Sequence, residues 1–147
     1  MVLFLLVIIS FSSCFLFRDY RKRDFVYEEN GQIRVISLEV PRGYVREERK
    51  DTAGIRLQTY YYQGGAILYA AFLRDTAFEL QHYNKAIHQP EEHRLGGWVF
   101  KGQEEDLRFY REIRQGNLRF GYRYVPALFE IQCDLATNQA SLQRPMH

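Results

Sequence analysis

Residues 107–142 read LRFYREIRQGNLRFGYRYVPALFEIQCDLATNQASL, and how this stretch divides between strand and helix decides the fold. Two alternating runs, Leu107 to Arg114 and Leu118 to Val125, flank Gln115-Gly116-Asn117, which predicts an antiparallel hairpin. On the first strand the expected core set is Leu107, Phe109 and Ile113, leaving Arg108, Tyr110, Glu112 and Arg114 on the other side. On the second, Leu118, Phe120, Tyr122 and Tyr124 face inward and Arg119 and Arg123 outward. The segment after Pro126 carries two periods at once. Phe129, Ile131, Cys133 and Leu135 alternate as a strand would, whereas Leu128, Ile131, Leu135 and Leu142 follow a helix stripe. Pro126 suits a first helical position and the run to Leu142 is long for a strand, so the reading favours a helix over 127–142 packed on one sheet face.

Working upstream, Phe25 to Glu28 and Ile33 to Val40 flank the hairpin dipeptide Asn30-Gly31, and Ile55 to Tyr62 and Ala66 to Leu73 flank Gln63-Gly64-Gly65. Trp98 to Phe100 adds a short strand. The six successive charges from Arg46 to Asp51 read as a solvated loop. Thr76-Ala-Phe-Glu79 is a capping box opening a helix over 77–88 that Gln89-Pro90 stops. The expectation is therefore a single α+β domain over 25–147. It would hold one antiparallel sheet of about six or seven strands, with a mid-chain helix and a C-terminal helix on one face. The strand ending in Val40-Pro41-Arg42-Gly43-Tyr44 resembles the opening of Mog1/PsbP-type antiparallel α+β domains.

The first 17 residues contain no charged side chain, and 13 of the 16 from Val2 to Phe17 are apolar. This is shorter than the ~20 residues of a membrane-spanning helix and suits a signal-peptide core. Phe11-Ser12-Ser13-Cys14 resembles the lipobox of bacterial lipoproteins in its loose, Bacteroidetes-type form. That resemblance implies cleavage after residue 13, acyl chains on Cys14 and a basic tether over 14–24. Residues 110–126, with Arg111-Glu-Ile-Arg114, Gly121-Tyr122 and Val125-Pro126, also resemble small lipoproteins of these bacteria. The implied location is the cell envelope, facing periplasm or cell surface. A second reading keeps residues 1–17 as a short signal anchor with the body in the cytoplasm, because Arg18, Arg21, Lys22 and Arg23 come directly after the apolar run.

The chain of 147 residues has a net charge of +2, and residues 18–24 account for all of it with four bases and two acids. Sixteen bases meet 16 acids from Phe25 onward, which argues against nucleic acid as a partner. The bases beside Cys14 suit anionic headgroups, so the membrane is the first expected partner and a protein the second.

Chemistry is sparse. There is no G-x-S-x-G elbow, no phosphate-binding glycine motif and no CxxC, and Cys133 reads as a small core residue. His82, His88, Glu91, Glu92 and His93 fall within twelve residues, which makes a metal-dependent hydrolase the alternative function, but His82 and His88 are six apart and on different helix faces. The leading reading assigns no catalytic residue, metal or cofactor. It is a non-enzymatic interaction module whose candidate face is Arg56, Tyr60, Tyr62, Arg108, Tyr110, Arg114, Arg119 and Arg123, with little acid among them.

Overall fold

The computed structural model describes residues 19–75 and 90–143. Strands take up 61% of these residues, in two sheets, and one short helix accompanies them. The expected α+β architecture with a single sheet is thus corrected to a predominantly β fold. The helix expected over 77–88 lies outside the described residues.

The chain opens with β1 (Tyr20–Glu29) and β2 (Gln32–Pro41), paired in register over all ten residues of each. Asn30 at φ 53° and Gly31 at φ 74° give the two left-handed positions that a tight hairpin with native strand twist requires. Residues 20–24, expected in a tether, are the first half of β1. After Arg42-Gly43 the chain crosses to the second sheet as β3 (Tyr44–Asp51), β4 (Ile55–Tyr62) and β5 (Ile67–Leu73). The six-charge run expected to be a loop is most of β3, the edge of that sheet. Charges suit an edge strand, because they deter pairing with another chain.

The two-residue β6 (Glu91–Glu92), β7 (Trp98–Gln103), β8 (Phe109–Gln115) and β9 (Leu118–Val125) complete a seven-stranded sheet in the order β3-β4-β5-β9-β8-β7-β6. Helix α1 (Ala127–Asn138) comes next, and β10 (Ser141–Leu142) pairs with β2 to make the small sheet three-stranded. The helix therefore stops short of the expected Leu142, whose backbone joins a sheet instead.

The small sheet is too narrow to cover the large one. Phe25, Tyr27, Ile36, Leu38 and Val40 from the small sheet share a core with Tyr60, Leu68, Phe120, Tyr122 and Val125 from the large one. Helix α1 lies alongside β2 and over β8 and β9, closing the rest with Cys133, Ala136 and nearby Ala140. The result is a sandwich whose second layer is three strands and a helix. The side of the large sheet facing this layer is called inner, the opposite side outer.

Candidate functional site

The predicted face divides between the two sides of the large sheet. Tyr60 is 1% exposed on the inner side, its ring 5.2 Å from Tyr44 and its hydroxyl accepting from Gln58 Nε2 at 2.5 Å. Tyr62 donates its hydroxyl to the Pro41 carbonyl at 2.8 Å and packs its ring against Phe129. Burial raises both phenols well above their ordinary range, so they are core donors and not a solvent-facing pair. Arg56, on the same side at the open end of the sandwich, sits 3.6 Å from Asp51 and lines a cleft of about 240 Å³ between β1, β3 and β4. Arg108 lies in the turn before β8, where its Nη1 donates to the carbonyls of Gly64 at 2.5 Å and Tyr124 at 3.1 Å.

Tyr110, Arg114, Arg119 and Arg123 do share the outer side, with an acid among them. Glu112 is 1% exposed and accepts from the Tyr69 hydroxyl and from Arg114 Nε at 2.7 Å. Arg114 also covers the Phe100 ring at 4.6 Å. Arg123 donates to Glu104 at 2.8 Å and lies 4.6 Å above Tyr124, while Arg119 donates to the Leu118 carbonyl at 2.9 Å. Burial lowers the Arg119 guanidinium. These arginines meet carboxylates and carbonyls of their own chain, which leaves the surface little attraction for an outside anion.

A groove of about 210 Å³ runs beside them, between Leu57, Thr59 and Tyr61 on β4, Ile67 and Tyr69 on β5, and Arg123 and Tyr124 on β9. Tyr124 reaches its rim because β9 bulges there, with two residues facing Tyr110 of β8 and Tyr124 held at φ 57°. Tyr61 donates to Glu48 at 2.8 Å, and this bond holds its phenol above the ordinary range.

A polar node on the inner side escaped the sequence reading. Arg111 is 9% exposed and donates from Nη1 to Asp134 at 2.9 Å and from Nη2 to Asn138 at 2.7 Å, both on α1. Asp134 accepts from Tyr122 as well, at 2.7 Å. Arg111 shares the inward parity of Phe109 and Ile113, a signal that was present in the alternation.

Of the histidine and acid cluster, His82 and His88 lie outside the described residues. Glu92 is exposed in β6, and Glu91 pairs with Lys101 at 3.2 Å. His93 is buried against Phe120, its Nδ1 accepting the Leu95 amide at 3.3 Å. Burial, then Arg111 and Arg94, lower its pKa. Among the described residues no group of three or more His, Cys, Asp or Glu is placed to hold a metal ion.

Cys14 and Arg18 also lie outside the described residues. Arg21 and Lys22 are exposed at the start of β1, whereas Arg23 donates to the Tyr44 hydroxyl and sits 3.9 Å from Glu47. Cys133 is fully buried, and burial drives its thiol pKa up, as expected of a core cysteine.

The largest departure concerns α1. Cys133, Ala136 and Thr137 turn inward with Phe129, whose ring packs on Tyr62, whereas Leu128, Ile131 and Leu135 turn out, at 98%, 72% and 40% exposed. The stripe expected to pack on the sheet is therefore the exposed one. Its spacing of three and four residues makes a continuous apolar ridge over two turns. Glu130 and Asp134 flank it, and the helix has no base.

No protein-family model matches the chain, and neither does any curated protein or solved structure. Among the described residues no helix is long and apolar enough to cross a membrane.

Proposed function

We propose that the chain is a small cell-envelope protein, anchored by acyl chains on Cys14, whose β-sandwich is a non-enzymatic module for binding a protein partner. The observation that carries the binding role is the outward ridge Leu128, Ile131 and Leu135. A folded chain gains nothing by showing three large apolar side chains to water at helical spacing, and such patches are a common mark of association surfaces. Glu130 beside the ridge, on a helix that carries no base, disfavours an anionic lipid surface as its occupant and favours a partner whose apolar groove is bordered by a base. The Arg/Tyr side of the large sheet takes second place, since its guanidinium groups are already engaged.

The anchor rests on the lipobox-like residues before Cys14, with the exposed Arg21 and Lys22 available to anionic headgroups at the start of the fold. The test combines acyl labelling with site-directed photo-cross-linking in cells. Wild type takes up fatty acid and Cys14→Ala does not. A photoreactive residue at 131 gives one discrete adduct that Leu135→Glu abolishes without altering the far-ultraviolet circular dichroism. Absence of label, or an adduct indifferent to Leu135→Glu, would remove the corresponding half of the reading.

A further inference from the structure

Among the described residues the two sheets have four edges, and three are blunted. β3 is heavily charged, and β6 and β10 are two residues long. The fourth, β1, is ten residues long and pairs only with β2 among the described residues. A long unpaired edge is a template for another strand.

The charges on β1 are distributed unevenly. Arg21, Lys22 and Arg23 lie in its first half and Glu28 and Glu29 in its second, so the strand complements itself when reversed. We propose that β1 pairs antiparallel with β1 of a second copy of this chain, joining the two small sheets into one of six strands about a two-fold axis.

Geometry sets the register. Directly opposed residues of an antiparallel pair lie on the same side of the sheet, and a two-fold axis normal to the sheet keeps outer side with outer side. Only registers centred on a residue satisfy this. Centred on Phe25, Lys22 meets Glu28 and Arg21 meets Glu29, each pair occurring twice, while Asp24 meets Val26. Centring on Asp24 would oppose two carboxylates directly, and centring on Val26 would set Asp24 against Glu28; like charges so placed destabilise a sheet. Glu29 already pairs with Arg34 at 3.1 Å, so the deciding pair is Lys22 with Glu28, both exposed on the outer side of the strand. Val26, exposed beside them, faces Asp24 and lies diagonal to Val26 of the second copy in the same register.

The test is light scattering coupled to size exclusion on the full chain in mild detergent. Wild type is expected to elute as a dimer. Lys22→Glu and Glu28→Lys each turn two attractive pairs into repulsive ones and should weaken self-association by about tenfold or more. An equimolar mixture of the two variants restores both attractive pairs and should form a heterodimer, which also shows that each variant is folded. A wild type that is monomeric at every accessible concentration would overturn the proposal. So would a dimer that neither reversal weakens, or a mixture that fails to restore association.

Discussion

The Arg111 guanidinium donates to the Asp134 carboxylate at 2.9 Å and so ties β8 to α1 across the inner side of the sandwich. Asn138 and Tyr122 complete the node at 2.7 Å each. Replacing Arg111 by Met keeps the aliphatic stem but strands the groups it served. Arg111→Met is expected to cost about 2 kcal/mol, the value of charge-assisted bonds with one well-buried partner. Urea unfolding would measure it, and a double-mutant cycle with Asp134→Asn should show strong coupling.

His93 makes stability depend on pH. Burial and the nearby Arg111 and Arg94 cations depress its folded pKa below the ordinary 6.5, and Nδ1 must stay unprotonated to accept the Leu95 amide. The unfolded chain therefore takes up this proton at higher pH than the folded one. The contribution is complete above the unfolded pKa and is lost as pH falls through the folded value. Unfolding free energy measured from pH 7.5 down to pH 5 should fall more steeply for wild type than for His93→Gln.

The orientation of α1 gives opposite expectations for neighbouring positions. Ile131→Ser should change stability by no more than about 0.5 kcal/mol, because the side chain is in water and the two residues have similar helix propensity. Ala136→Leu, which forces extra volume into a filled core, should cost about 2 kcal/mol. Thermal melts of both variants would check the pair. A destabilised Ile131→Ser with a tolerated Ala136→Leu would mean that the helix sits the other way round.

Gly121 lies in β9 where a Cβ would stand 1.9 Å from the Arg111 carbonyl oxygen on the neighbouring strand. Gly121→Ala is expected to cost roughly 3 kcal/mol through backbone displacement. At Gly64, in the turn between β4 and β5, a Cβ would meet no atom within 4 Å and only the φ of +83° opposes a side chain. Gly64→Ala should cost about 1 kcal/mol. Chemical denaturation of the two variants would separate these effects.

The hairpins were legible because turn chemistry is local: Asn30-Gly31, Gly64-Gly65 and Gly116-Asn117 each mark a reversal whatever the flanking faces do. The sides of β4 were not. Ile55, Tyr60 and Tyr62 are all buried although they do not share a parity, so the strand has no polar side from which to read direction. The run Arg46 to Asp51 failed for another reason. At a sheet edge one backbone face and most side chains stay in water, and a charged sequence is compatible with a strand as long as neighbours such as Gln58 and Tyr61 receive its carboxylates.

Helix α1 shows how a correct period can give the wrong side. The stripe Leu128, Ile131 and Leu135 was visible, and apolar stripes ordinarily face the core. The core under the helix is closed by Cys133, Ala136 and nearby Ala140 together with Phe129 against Tyr62, so the inward side follows these residues and the stripe Leu128, Ile131 and Leu135 is left outside. The candidate Arg/Tyr face dispersed because spacing along one strand does not reveal partners on the next. Glu112, Glu104 and the Gly64 carbonyl come to those arginines only through the sheet and its loops.

The proposed anchoring of this module by acyl chains on Cys14 is read from the intact mass of the protein extracted from membranes. The expected chain begins at Cys14 and is heavier than residues 14–147 by the mass of a diacylglyceryl group, with or without a further acyl chain. A mature chain with an unmodified Cys14, whether it begins at Met1 or elsewhere, would contradict it.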